Sequence, residues 1–537
     1  MAAVPLSEFI VQDIKRISER TEIETIEDWR EKSGEEVASV AVESPVFREQ
    51  FGLWEHQKYF VDLAFQNHKM SYGARYVLAD QVGLGKTIQL AMAAQLMALH
   101  GDKPILIIVP KTLIWQWQDE MNTLLDMPSA VWNGKLWVDE NGMEYPNKSV
   151  LDIKKCPRRV GIISQGLIVS KSEAVQSLQE REYECVIVDE AHRARRKNHG
   201  LGKEHYSPEP NNLYDYLLNI SKKTKSMLLA TATPVQMYPV ELWDLLNILS
   251  QKNDSVMGSV ASNWRNKNKI AEGFERITGQ KVNTLCSPKN WDWIRNPIPP
   301  ANEDTTFQIL RKKSNLSDDD FVSNIRIGDF SSGMQRRIER LLKNDFFQRY
   351  NPYIRHVVRR ERTYLENTID PETNESYLKK IEVELFGENE DETLVLSGYM
   401  KEAYELAEAF CEELGKRSKS AGFMKTLLLK RIGSSMIAGK NTGLKMLNEW
   451  NTSFVDIEET EDNLEESDLK NLTPQEIVLL ERFVHALEAN ESTDPKFLRC
   501  KLLLKEQNWL ERGVIIFSQY YDTAHWVAEK LSMKYPD

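Results

Sequence analysis

Between residues 76 and 250 short apolar runs alternate with longer amphipathic stretches. The runs at 76–79, 105–109, 161–164, 185–189 and 227–230 are rich in Ile, Val, Leu and Ala, and Ile105, Leu106, Ile107, Ile108 and Val109 follow one another without a polar break. Continuous runs of that kind belong to strands buried on both faces, whereas half-exposed strands alternate apolar and polar. Segments 86–99, 112–125, 171–178 and 211–220 carry apolar residues at helical spacing. The pattern predicts an α/β lobe: a parallel sheet with helices on both faces.

The pattern changes after residue 250. Residues 251–380 contain Trp264, Trp291 and Trp293, several prolines and long charged helical stretches, and read as a mostly helical insertion and connector. A strand-like run returns at 379–386, followed by a helix over 397–414 and a polar helical excursion over 415–490. A strand at 513–517 and a helix at 521–531 then restore the α/β pattern. Four regions result: an N-terminal segment at 1–48 beginning with a short amphipathic helix over 1–20, a first lobe at 49–250, the insertion at 251–380, and the start of a second lobe at 381–537.

Composition narrows the class. At 537 residues the chain is long enough for several domains. No apolar run approaches the roughly 20 residues that cross a bilayer, and the N-terminus is no signal peptide, so no membrane partner is expected. Cys156, Cys185, Cys286, Cys411 and Cys500 are scattered without a C-x-x-C pair, against zinc or disulfide frameworks and in favour of a reducing cytoplasm. The net charge of −12 argues against indiscriminate coating of nucleic acid, but phosphate contacts need only local basic groups. The acidic stretches at 387–392 and 456–468 read as solvated linkers.

The chemistry is concentrated at strand ends. Asp80, Gln81, Val82, Gly83, Leu84, Gly85, Lys86 and Thr87 follow an expected strand and open an expected helix, the setting of a phosphate-binding loop. Gly83 and Gly85 let backbone N–H groups turn inward, and the helix N-terminus faces the same anion. Lys86 is the candidate contact for the β- and γ-phosphates of ATP, and the Thr87 hydroxyl a candidate ligand of Mg²⁺. In the general loop pattern Asp80 occupies a glycine position. Asp189, Glu190, Ala191 and His192 end the run Cys185-Val186-Ile187-Val188. Asp189 is placed to give Mg²⁺ its second protein contact, and Glu190 to orient and deprotonate water. Thr231 and Thr233 end the last strand, either as a strand-closing turn or as hydroxyls that bond to the acidic box; His192, Thr231 and Thr233 are the candidate coupling residues.

Taken in order, these residues resemble the Swi/Snf-type ATPases of helicase superfamily two, especially the RapA-like bacterial branch. The resemblance also rests on Leu53-Trp54-Glu55-His56-Gln57, on Val109-Pro110-Lys111-Thr112-Leu113 through Trp117, and on Glu241-Leu242-Trp243 after Thr231 to Gln236. It implies a RecA-like first lobe, and makes an aspartate at position 80 expected and Gln81 in place of glutamate a mild deviation. It further implies adenine recognition by Gln57, a basic brace at Arg359, Arg360 and Arg362 joining two lobes, and sequence-independent tracking of double-stranded DNA. Lys111, Thr112, Ser164 and Gln165 are the implied DNA contacts, although Thr112 is equally placed to cap the helix that follows. Arg193, Arg195, Arg196 and Lys197 are further basic candidates, whereas Trp115 and Trp117 suit packing better than base stacking. RNA polymerase or subunits of repair and defence complexes are candidate partners, in a nucleoid-associated cytoplasmic setting.

After Ser518 there is no Q-x-x-G-R-x-x-R pattern to supply the arginines that such motors place on the γ-phosphate. The expectation is an incomplete second RecA-like lobe. The alternative is a non-hydrolysing ATP-binding scaffold or a split subunit.

Overall fold

Five apolar runs form the centre of one sheet because their side chains are buried on both faces. A computed structural model describes residues 28–29, 52–197, 208–234, 239–281, 285–369, 374–381, 383, 398–418, 421–448, 471–490 and 493–535. The expected helix over 1–20, Gln236, half of the run at 379–386, and the acidic stretches at 387–392 and 456–468 lie outside these residues. The chain divides into two compact units, Met1–Lys380 and Ile381–Asp537.

In the first unit the strands are β1 (Arg75–Leu78), β2 (Ile105–Val109), β3 (Ala130–Trp132), β4 (Trp137–Asp139), β5 (Glu144–Tyr145), β6 (Val160–Ser164), β7 (Tyr183–Val188), a separate short pair β8 (Arg196–Lys197) and β9 (Glu209–Pro210), β10 (Thr224–Ala230) and β11 (Val357–Val358). The main sheet runs β11-β1-β10-β7-β2-β6-β3-β4-β5. From β11 to β3 every pairing is parallel, and β4 and β5 extend the sheet antiparallel.

Alternation within each strand divides the core in two. Leu106, Ile108, Val186, Val188, Met227 and Leu229 face one cluster; Ile105, Ile107, Cys185, Ile187, Leu228 and Ala230 face the other. Helices α1 (Glu55–Lys69), α2 (Lys86–His100) and α3 (Ile114–Leu125) cover the second face through Phe60, Leu90, Met97 and Trp117. Helices α4 (Asn212–Ser221) and α5 (Val240–Leu249) cover the first through Leu217, Trp243 and Leu246. Each of these large apolar side chains gains about 1.5–3 kcal/mol from burial. The expected α/β lobe with helices on both faces is therefore present.

The insertion contributes to the same core. Trp264, Trp291, Trp293, Phe307, Met334, Ile338 and Phe346 join the first cluster, and β11 pairs alongside β1. Trp29 also belongs to that core, edge-on to Trp137 and Tyr183.

In the second unit, α6 (Gly398–Gly415), α7 (Ala421–Ser434), α8 (Met436–Asn448) and α9 (Pro474–Glu488) pack around Phe410, Leu428, Met446 and Phe483, and α10 (Pro495–Glu506) and α11 (Tyr521–Ser532) follow. The stretch expected to be a polar excursion thus has an apolar core of its own. The expected buried strand at 513–517 is corrected: the backbone there forms no ladder among the described residues, with Ile515 78% and Phe517 90% exposed. An apolar, β-branched run favours extended backbone, but a strand needs a neighbour for its N–H and C=O groups.

Candidate functional site

Parallel strands present their carboxyl ends on one edge, where a ligand crevice forms. The chain leaves β1 into the loop 80–85, β2 into Pro110-Lys111-Thr112, β6 into Gln165, β7 into Asp189 and β10 into Thr231. Because β10 lies between β1 and β7, the threonine strand touches both the loop strand and the acidic strand.

The loop turns through left-handed backbone at Gly83 (φ 84°) and Gly85 (φ 70°), where a side chain would be strained. A Cβ on Gly85 would also stand 2.4 Å from Gln57 Nε2. Leu84 is buried, and its carbonyl accepts from Gln57 Nε2 (3.3 Å) and Gln89 Nε2 (3.2 Å), with His56 Nε2 at 3.3 Å. Gln57 Oε1 accepts the Trp54 N–H at 2.9 Å. Gln57, the residue implied for adenine, is therefore buried and ties the start of α1 to the loop. Val82 projects outward, and Thr87 is half-buried in the first turn of α2.

Lys86 Nζ donates to the Asp80 carbonyl at 2.9 Å and reaches the Gln81 carbonyl at 3.4 Å. Burial lowers its pKa, and the carboxylates of Glu190, Asp189 and Asp80 oppose that shift, so Lys86 lies within the field of the acidic box. Asp80 is itself wholly buried. Its Oδ2 accepts from Arg360 Nη1 (3.1 Å) and Gln89 Nε2 (3.2 Å). The Gln81 N–H donates to the Arg360 carbonyl (3.1 Å), and Gln81 Oε1 accepts the Arg362 N–H (2.7 Å). Asp80 and Gln81 are thus placed to fix the loop against the segment after β11 rather than to face a phosphate. Arg360, implied by the resemblance as an inter-lobe brace, has its guanidinium on Asp80 and over the Tyr59 ring.

Asp189 extends β7 by donating its N–H to the Ile108 carbonyl at 3.0 Å. Its Oδ2 accepts the indole N–H of Trp117 (3.0 Å) and its Oδ1 the N–H of Glu190 (2.9 Å). Burial raises the Asp189 pKa, and these two donors pull it back. Glu190 adopts left-handed backbone (φ 47°), a strain that persists only where the surroundings impose it. Its pKa is lowered chiefly by the hydrogen bond from His192, which keeps it an ionised proton acceptor. His192 Nδ1 lies 3.1 Å from Glu190 Oε2 and 3.0 Å from Thr231 Oγ1, and the Thr233 N–H donates to that same hydroxyl at 3.1 Å. Glu190, His192 and Thr231 meet side chain to side chain, and Thr233 joins through its backbone.

The implied DNA contacts separate into two pairs. Lys111 and Thr112 are exposed on a 3₁₀ turn, and Thr112 makes no side-chain cap to α3. Ser164 and Gln165 are buried: Ser164 Oγ accepts the Gly166 N–H, and Gln165 Nε2 donates to the Asp189 carbonyl at 2.6 Å. This second pair is therefore held below the surface, Gln165 on the acidic strand and Ser164 on the turn that follows β6. Arg195 and Arg196 turn toward α5, on Glu241 and Asp244, with Arg196 also over Trp243.

Mg²⁺ fits these residues. Each Asp189 oxygen has one hydrogen-bond donor and keeps further lone pairs, and Thr87 opens α2 beside Lys86. Among the described residues no cluster of three or more His, Cys, Asp or Glu could hold a metal unaided. An ion that takes one carboxylate, one hydroxyl and substrate phosphates needs no such cluster.

Sequence reasoning missed the Trp117–Asp189 and Arg360–Asp80 bonds. The first left a trace: Trp117 shares its helical face with Ile114 and Met121, so its ring had to point into the lobe. The second left none, since its partners are 280 residues apart.

Residues 56–285 match the profile of the SNF2-related domain. The human chromodomain-helicase-DNA-binding protein 8 is 32% identical over 182 residues, 32% of this chain and 6% of that protein. The RNA polymerase-associated protein RapA of Actinobacillus pleuropneumoniae is 29% identical over 246 residues, 46% of this chain and 24% of that protein. The chain therefore spans a quarter or less of the length of these relatives. The solved SWI2/SNF2 ATPase core of Sulfolobus solfataricus in complex with dsDNA aligns over 96% of this chain and 73% of its own, at 14% identity and a TM-score of 0.33. Residues 56–285 of this chain are an SNF2-related domain.

Proposed function

We propose that this chain binds MgATP in the 80–87 loop and hydrolyses it as a DNA-dependent ATPase that moves along double-stranded DNA. The observation that carries this reading is the junction of Glu190, His192 and Thr231, which joins the end of the acidic strand to the end of the strand beside the phosphate loop.

The roles follow from position. The loop N–H groups and the α2 N-terminus cradle the phosphates. Lys86, held between loop carbonyls and acidic box, exchanges its bonds to the Asp80 and Gln81 carbonyls for phosphate oxygens. Thr87 and Asp189 would hold Mg²⁺, which when bound neutralises charge on the phosphates. Glu190, ionised and oriented by His192, takes the proton from the attacking water. Movement of Glu190 alters the His192 bond and hence Thr231, giving a path from hydrolysis to the strand end.

Lys111 and Thr112, exposed on the same sheet edge, are the proposed DNA phosphate contacts; Gln165 supports the acidic strand instead, and Ser164 caps the turn that follows β6. Since a relative is an RNA polymerase-associated protein, the transcription machinery is the proposed partner and the nucleoid the proposed location. No helix among the described residues is long and apolar enough to cross a membrane.

The test is ATP hydrolysis with and without duplex DNA, for the wild type and for Lys86→Ala and Glu190→Gln. The expected result is DNA-stimulated turnover lost in both variants, with nucleotide binding kept by Glu190→Gln. Unchanged turnover in Lys86→Ala would end the assignment. Biological activity that survives Glu190→Gln would point to a scaffold in place of a motor.

A further inference from the structure

The helix Ser332–Lys343 lies beyond the 56–285 segment, and the site described above makes no use of it. Its buried residues are Met334, Ile338 and Leu342, which join the core cluster shared with the parallel sheet. Gln335 Nε2 also donates to the Ile327 (3.2 Å) and Phe330 (3.0 Å) carbonyls, pinning the first turn. The helix is therefore anchored in the same unit as the phosphate loop.

Its outward face is basic. Arg336, Arg337, Arg340 and Lys343 are all exposed, against one acidic residue, Glu339. At 100° per residue, Arg336, Arg340 and Lys343 fall within a strip about 60° wide, opposite the buried positions. Among the described residues none of the four forms an ion pair or a side-chain hydrogen bond. Like charges three and four residues apart work against a helix. The helix dipole accounts for Arg340 and Lys343, in the last turn, but not for Arg336 and Arg337 further toward the N-terminus. An unpaired cationic strip on a chain with a net charge of −12 is the feature left to explain.

We propose that the outward face of Ser332–Lys343 is a second contact surface for the phosphate backbone of double-stranded DNA. The inference rests on the DNA-tracking reading. From Arg336 to Lys343 the strip extends about 10 Å along the helix axis, the reach of a few consecutive phosphates. It has no planar aromatic platform and no Asn or Gln on its outward side, so it positions the duplex without reading its sequence.

The experiment measures binding of the whole protein to a fluorescent 40-bp duplex from 50 mM to 400 mM salt. The wild type is compared with the triple variant R336A/R340A/K343A and a control, K312A/K313A, which removes exposed lysines from another helix. Each lost phosphate contact flattens the log–log salt slope by about 0.9. The triple variant is expected to lose roughly 2–3 from the slope and to bind at least tenfold more weakly at 100 mM salt. The control is expected to keep the wild-type slope, and binding of an ATP analogue without DNA to be equal in all three. A triple variant with the wild-type slope, beside a wild type that binds duplex, overturns this surface while leaving the ATPase reading intact. A wild type that binds no duplex at any salt overturns both readings. Binding of polyglutamate as tightly as DNA of equal charge would overturn DNA as the partner of this face.

Discussion

Replacing Arg360 by alanine removes the counter-ion of a carboxylate that water cannot reach. The Asp80 side chain is 0% exposed and that of Arg360 14%. After the substitution Gln89 would be the remaining donor to Asp80 Oδ2, and Asp80 Oδ1 already has no partner. Breaking a buried pair from one side costs about 3–5 kcal/mol. The lower end applies, since Gln89 stays and the alanine leaves room for water beside Tyr59. A loss of about 3 kcal/mol lowers the midpoint of a large unit by roughly 5–10 °C. The asymmetry of burial gives a second expectation. Asp80→Asn, which leaves a partly exposed guanidinium that water can solvate, should cost clearly less. The double variant D80N/R360Q should recover much of the loss, because no buried charge remains. Differential scanning of the four proteins measures stability, and titration with an ATP analogue reports the loop, whose affinity should fall at least tenfold in Arg360→Ala. A midpoint shift under about 2 °C, or a double variant no more stable than Arg360→Ala, would refute the clamp.

Four further substitutions probe other links. Trp117→Phe removes the indole N–H that lowers the Asp189 pKa, so that pKa, already raised by burial, rises further. The acid limb of the hydrolysis profile should move to higher pH, and a limb that stays in place would exclude Asp189 as the group it reports. Gln165→Ala deletes a buried bond to the Asp189 carbonyl and should cost about 1–3 kcal/mol while leaving the salt slope of DNA binding unchanged; a flatter slope would return Gln165 to the DNA surface. Burial pushes the His356 pKa down to about 4, between the Arg75 and Ser255 carbonyls. A folded pKa below the unfolded value near 6.5 gives stability that is complete above pH 6.5 and lost as pH falls toward 4, at most about 3 kcal/mol. In His356→Asn the thermal midpoint should accordingly vary less between pH 7 and pH 4.5, and equal slopes would remove His356 from the account. His192→Ala takes away the hydrogen bond that lowers the Glu190 pKa and the bridge to Thr231; DNA stimulation of hydrolysis, measured as a ratio of rates, should fall more than basal hydrolysis.

Burial on both faces is what made the lobe legible. Ile105 to Val109, Cys185 to Val188 and Met227 to Ala230 are apolar without interruption because each has helices above and below, and the strand ends with chemistry follow directly from them. Where stability comes from pairing instead of local pattern, the sequence was silent. Ala130 to Trp132 is too short to show a period, and Val357–Val358 is two residues at an edge. The run at 513–517 has the right pattern and no ladder, because composition selects extended backbone and cannot provide a neighbour. Asp80 shows the limit most clearly. Its departure from the glycine of the general phosphate loop was visible at once, yet its physical reason is an arginine 280 residues away. The Ala79 N–H donates to the Val358 carbonyl and the Gln81 N–H to the Arg360 carbonyl, so the β11 segment continues its ladder past β1 and onto the loop itself. Residues 56–285 hold every motif of the cradle, but not the strand that closes the β1 edge or the guanidinium that neutralises Asp80. The segment that looks like a connector is thus part of the candidate site, with Val357 to Arg362 joined to the end of β1 and the loop after it by two backbone bonds and one buried ion pair.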